Sequence, residues 1–230
     1  MRDVKPEGKR ARQRRATRHR IVESALELFV GQGYAATTLE QIAACAGVAV
    51  QTVYFHFGNK RTILIEGIGV KVVGDDEQVA MIDRSWAQEA LTTTDPAHAV
   101  EVWVTGSRSI FARVAPLLWI LRDAVGADPD MAREWEINQR QRRTDHRAFA
   151  QHLADLGALA AGVSADRAAD IIYTLFSPEM YHLLTIQCGW SPADWETWIH
   201  RMLTDALFAG PDPASPPTPG ASSADEARPA

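Results

Sequence analysis

An all-helical fold is predicted by three features of this sequence. Apolar residues recur at the i, i+3, i+4, i+7 spacing of a helix almost everywhere between residues 17 and 209. No segment shows the alternation of a half-buried strand. Glycine and proline fall between the apolar stripes rather than within strand-like runs, as at Gly31, Gly33, Gly47, Pro178 and Pro192.

The first helix is predicted from about Thr17 to Gly31, with Ile21, Val22, Ala25, Leu26, Leu28 and Phe29 on its buried face. A short second helix opens at "TTLEQ", where Thr38 with Gln41, or Thr37 with Glu40, has the spacing of a capping box. Leu39, Ile42, Ala43 and Ala46 form its stripe, and Gly47 supplies the turn that follows. On a third helix Val50, Val53 and Phe57 can pack back on the first two, which leaves Gln51, Thr52, Tyr54, Phe55 and His56 on its flanks and outer face. A fourth helix starts at Lys60, where the side chain and the free N–H groups can together hold a phosphate. Gly67, Gly69 and Gly74 lie in or near it, where either close packing or a soft connector would account for them. Near the other end, Ile172, Leu175, Phe176, Met180, Leu183 and Leu184 form a helix broken or kinked at Pro178. Ser191-Pro192 starts a last one bearing Trp195, Trp198, Ile199, Met202, Leu203 and Ala206.

Charge is divided unevenly over a chain of net −5. Residues 1–20 carry nine Lys or Arg against Asp3 and Glu7, a net of +7, so the remaining 210 residues carry −12. A basic arm on an acidic body suits an anionic polymer at one end only, although a merely solvated tail has the same composition. Residues 210–230 hold half of the twelve prolines and almost no large apolar side chain, the composition of a disordered tail. No run of 18 apolar residues and no signal-peptide pattern is present, so no membrane partner is expected and the chain is read as cytoplasmic. Cys45 and Cys188 suggest neither a disulfide framework nor a zinc site and read as ordinary small apolar side chains.

A short helix, a glycine turn and a second helix with hydrogen-bonding and aromatic groups outward make a helix-turn-helix, whose second helix enters the DNA major groove. The basic arm calls for the same partner. At this point "ALELFVGQGYAATTLEQIAACAGVAVQTVYFHFGNKRTIL" resembles the tetracycline-repressor (TetR) family of one-component transcription regulators over roughly 45 residues. The paired Thr, the Ile-Ala, the Ala-Gly-Val turn and Thr-x-Tyr-x-x-Phe before Lys carry the likeness. The resemblance implies that Thr52, Tyr54 and Lys60 contact the DNA backbone and that Gln51, Phe55 and His56 read bases. Arg12, Arg14 and Arg15 of the arm and Thr38 complete the expected DNA-binding set. Ala49 stands where the family commonly has a capping Ser, so the third helix is expected to fray, by about 1 kcal/mol of lost cap.

The expected organisation is a disordered basic arm (1–16), a helix-turn-helix domain (17–60), a helical effector-binding and dimerisation domain (61–209) and a disordered tail (210–230). The resemblance implies that the last two helices form a four-helix bundle in a homodimer, while closure of the subunit core by the same helices is compatible with it. Apolar pockets between helices bind small molecules, and Trp103, Phe111, Trp119, Trp135, Phe149 and Tyr173 are the candidate walls for an unidentified effector, although core packing alone is the simpler reading of any one of them. Arg122, Asp123, Asn138 and His146 do not converge on a recognisable chemistry. His146 and His152 lie six apart, unsuited to one metal site, and no nucleophile motif accompanies Asp145 and His146, so no enzyme, metal or cofactor is expected. The functional expectation is a ligand-released repressor of a palindromic double-stranded DNA operator; the alternative is a helical protein that coats nucleic acid through its arm.

Overall fold

A computed structural model of the protein describes residues 8–73, 81–126 and 128–208. Among these residues every regular element is helical: α1 (Lys9–Gln32), α2 (Leu39–Ala46), α3 (Val50–Phe57), α4 (Lys60–Val73), a 3₁₀ turn (Met81–Asp83), α5 (Ser85–Thr92), α6 (Pro96–Ala124), α7 (Pro129–Asp155), α8 (Ala165–Leu175), α9 (Pro178–His182) running into a π turn (Leu183–Gln187), and α10 (Pro192–Phe208). The expected tail and Gly74 lie outside the described residues. None of the described helices is long and apolar enough to cross a membrane.

Local chemistry sets the helix starts. Pro opens α6, α7, α9 and α10, where its missing N–H costs nothing. The residue before it accepts from the first turn: Asp95 from the amides of Ala97 and His98, Asp128 from Asp130, Ser177 from Met180. Ser191 and Asp194 cap each other reciprocally at α10. The stop at α8 and restart at Pro178 matches the break expected there. One boundary is corrected. Helix α1 begins at Lys9, so residues 9–16 are helical and not a disordered arm; Lys, Arg, Ala and Gln are strong helix formers, and no Gly or Pro interrupts them before Gly31.

The buried residues form two cores. The first joins α1, α2 and α3 through Ile21, Phe29, Ile42 and Val53 and continues through Ile63 and Leu64 of α4. Val114, Leu117 and Leu121 of α6 belong to it too. The second joins Trp103 and Phe111 of α6 to Phe149 of α7, Ile172 of α8 and Trp195 of α10. A boundary after residue 60 therefore cuts through a shared core, and α6, 29 residues long with Pro116 inside it, belongs to both. Neither cysteine is in a core; Cys45 and Cys188 are free and exposed.

Candidate nucleic-acid interface and helical interior

The helix-turn-helix is built from caps and one left-handed residue. Thr38 accepts from the Gln41 amide at 3.2 Å while Gln41 accepts from the Thr38 amide at 2.9 Å, so Thr38 and Gln41 form the capping box and Thr37 instead donates to the Gly33 carbonyl. Gly47 takes φ 62°, ψ 43° at the turn, a conformation that favours glycine. Helix α3 starts from Ala49 without a side-chain cap, as its sequence implies.

Burial of Val53 and Phe57 turns the opposite face of α3 outward. Gln51 is exposed, Tyr54 is 52% exposed and Phe55 74%. Thr52 and His56 sit half-buried on the flanks. The His56 ring meets Phe55 edge-on, and its pKa is lowered by burial and by the Arg18 and Arg14 charges, which keeps it neutral at pH 7. Among the basic residues of α1, Arg12, Arg14 and Arg15 are all exposed, and Arg14 lies 5.8 Å from the Phe55 ring. Thr38 is exposed, and its hydroxyl hydrogen is left for an outside acceptor.

Lys60 is engaged within the subunit. Its ammonium donates to the carbonyls of Tyr34 at 2.7 Å, Thr37 at 3.0 Å and Ala35 at 3.4 Å and lies 4.3 Å from the Tyr34 ring. All three donors of a lysine are thereby engaged. In this arrangement Lys60 braces the loop before α2. The start of α4 is likewise engaged, because Asn59 accepts from the Thr62 amide.

Residues not singled out from the sequence lace this unit to the rest. Arg18 pairs with Glu66 of α4, donates to the His56 carbonyl at 2.7 Å and lies 4.2 Å from the Phe57 ring. Lys71 pairs with Glu23 at 2.7 Å, and Arg113 of α6 donates to the Lys71 carbonyl at 2.9 Å. Arg61 pairs with Asp130 in the first turn of α7. Their only sequence signal is opposite charges at long separation, which a single chain does not match up. Gly67 faces Leu26 so closely that an added Cβ would lie 2.5 Å from a methyl carbon, whereas Gly69 has open space around it. Close packing accounts for Gly67.

The six candidate effector-wall residues separate. Trp103 and Phe149 are fully buried and stacked at 4.4 Å, and Phe111 meets Phe176, Tyr181 and Trp195 within 6.0 Å. Tyr173 joins this cluster through His146. Trp119 stacks instead on His182, and Trp135 packs against the first core. His146, uninterpretable from sequence, is central: it meets Trp103, Tyr173 and Phe176, and complete burial lowers its pKa to about 3. Arg142, one turn earlier, pairs with Glu179 of α9 at 3.0 Å. A groove of about 620 Å³ on another side of α6, lined by His98, Glu101, Glu196 and His200 among others, includes none of the six. Among the described residues no group of three or more His, Cys, Asp or Glu is placed to hold a metal.

In α10, Trp195, Ile199 and Leu203 close the second core, so this part of the stripe expected at a dimer face is interior. Trp198 packs edge-on against Trp190, and Ile186 is 59% exposed.

The match to the family model "Bacterial regulatory proteins, tetR family" covers residues 21–66. The chain is 36% identical over 94 residues to the uncharacterized HTH-type transcriptional regulator TtgW of Pseudomonas putida, a match spanning 40% of this chain and 70% of that one. It is 36% identical over 94 residues to the HTH-type transcriptional regulator SrpR, also of Pseudomonas putida, spanning 40% of this chain but 44% of that protein. Among solved structures, that of a SmeT–triclosan complex matches with a TM-score of 0.63 at 21% identity, over 89% of this chain and all of the other.

Proposed function

Because the chain belongs to the TetR family of regulatory proteins, we propose that it is a ligand-responsive transcriptional regulator: a homodimer that binds a palindromic operator and is released by a small molecule. The observation that carries the DNA reading is the outward face of α3, where Gln51, Tyr54 and Phe55 are exposed beside Arg14. Gln51, Phe55 and His56 face the bases, and Thr38, Thr52, Tyr54, Arg12, Arg14 and Arg15 position the helix on phosphates. A large exposed aromatic beside an arginine on a helix of eight residues serves no packing purpose in the subunit.

Two recognition helices read successive major grooves when a two-fold dimer holds them about 34 to 36 Å apart. Ile186, Trp190 and Trp198 offer the apolar surface for that contact. Effector response is supported by the neighbour solved with triclosan and by the buried His146 set among aromatic rings between α6 and α7.

Selection of bound DNA from random sequence, followed by footprinting, tests the reading. A short palindrome is expected; uniform protection at low salt would instead mark a nucleic-acid-coating protein. Gln51→Ala and His56→Ala should each relax preference at one or two base pairs per half-site, by about 1 to 3 kcal/mol. Sedimentation is expected to show a dimer that Trp198→Asp dissociates while the helical fold persists.

A further inference from the structure

The second core contains polar atoms that a dry core would not keep. Trp103 Nε1, Ser107 Oγ, His146 Nδ1 and Trp195 Nε1 are buried and have no hydrogen-bond partner among the described residues. Their residues are 0%, 0%, 2% and 0% exposed. Burying such a group unpaired is costly, and apolar residues of the same shape would avoid the cost. One such atom could be an accident of packing; these four belong to one continuous aromatic cluster. His146 lies 6.2 Å from Trp103 and 6.0 Å from Phe176, which lies 5.7 Å from Trp195. Ser107 is one turn from both Trp103 and Phe111 on α6, and Phe111 touches Trp195 and Phe176.

We propose that Trp103, Ser107, His146 and Trp195 form the recognition set of the effector site, and that its occupant is an uncharged planar aromatic compound bearing at least two hydrogen-bond-accepting oxygens. The inference rests on the reading of these helices as effector-binding and adds the chemistry. An indole N–H can only donate and a hydroxyl can do so, so the set asks for acceptors; His146 Nδ1 takes either role with its tautomer. The rings around these atoms favour a flat aromatic body. Charge is unwelcome from both directions. The charge of the Arg142 guanidinium is offset by Glu179, although its Nε has no partner, and His146 is itself held neutral by its surroundings. Helix α9 is separated from α8 at Pro178 and followed by a π turn. It covers the cluster with Tyr181, 4.8 Å from Trp195, and is held by the Arg142–Glu179 pair and the Trp119–His182 stack.

Equilibrium dialysis of the full chain against four tricyclic probes tests this: xanthone (neutral, two oxygens), fluorene (hydrocarbon), xanthone-2-carboxylate (anion) and 9-aminoacridine (cation). Xanthone is expected to bind at least ten-fold more tightly than the other three. Trp103→Phe, Trp195→Phe and Ser107→Ala should each weaken xanthone by about three- to ten-fold, the worth of one neutral hydrogen bond, and leave fluorene within two-fold. In the free protein Ser107→Ala should melt no lower than the parent, because it removes a polar group that has no partner and leaves almost no cavity; a merely structural role would lower the melting temperature. Absence of xanthone binding up to its solubility limit, tighter binding of either charged probe, or parallel loss of xanthone and fluorene in the variants would overturn the proposal. If such a result comes with intact binding to the selected DNA, the effector chemistry fails and the regulator stands. If selection yields no specific DNA site, the regulator reading fails on its own account.

Discussion

The outer face of α3 and the interior between α6, α7 and α10 are made of the same kinds of residue and use them in opposite ways. Both hold aromatic rings next to a histidine and hydrogen-bonding groups. Phe55 is 74% exposed, whereas Trp103 is buried completely. The difference comes from the neighbours. Helix α3 has eight residues and buries only Val53 and Phe57, so its other rings lie outside the core. Helices α6 and α7, 29 and 27 residues long, meet each other and the last helices around Trp103, Phe149 and His146. Residue type says that a surface recognises something; packing depth says whether the partner comes to the protein or enters it.

The largest effect that would break this contrast is truncation on each side. Trp103→Ala should cost about 3 to 5 kcal/mol in urea unfolding, and Phe55→Ala no more than about 0.5 kcal/mol while impairing operator binding. Equal stability losses would mean that α3 is not an open surface. The two histidines come next. His146 is neutral in the native protein, with its pKa lowered to about 3, whereas the unfolded chain takes up a proton near 6.5. Its stabilising contribution is complete above about pH 6.5 and falls as pH drops toward 3, so about 2 kcal/mol should be gone at pH 5. The measurement is the difference in urea midpoint between pH 7.5 and pH 5, which should be smaller in His146→Leu than in the parent.

Lys60→Ala follows in size. It unpairs the carbonyls of Tyr34, Ala35 and Thr37 and should cost about 1 to 3 kcal/mol, while the slope of log affinity against log salt concentration stays unchanged. A slope reduced by about one would place Lys60 among the phosphate contacts. The smallest effect separates two glycines on α4. Gly69→Ala has room and should stabilise by about 1 kcal/mol; Gly67→Ala pushes on buried Leu26 and should destabilise by about 1 to 3 kcal/mol. Stabilisation by both would restore a softening role for the pair, visible as altered induction with unchanged effector affinity.

Much of the α1–α4 region is legible in the sequence because its signals are local. Thr38 with Gln41, Gly47, uncapped Ala49 and the Val53–Phe57 spacing each act within a turn or two. The interior is less legible, since its members come from helices far apart in the sequence. Ser107 looks like a lone polar residue on an apolar helix until Trp195, 88 positions away, is placed on the same cluster. Trp119 and Trp135 show the same limit from the other side: they match Trp103 in type, but helical phase turns them to other neighbours. Lys60 escapes a sequence reading for a related reason, since the carbonyls that engage it lie more than twenty residues earlier.

Helix α6 runs unbroken through both cores, contributing Val114, Leu117 and Leu121 to one and Trp103 and Phe111 to the other. A DNA-reading unit cut after residue 73 would expose the apolar face that those first three residues cover, and would not be expected to fold independently. Thermal melting should accordingly be a single cooperative event seen alike from Trp103 and from α3. Modularity is limited in the same way. A chimaera that borrows the recognition helices of this protein to redirect another regulator must also carry over the C-terminal half of α6, or rebuild the surface that it supplies.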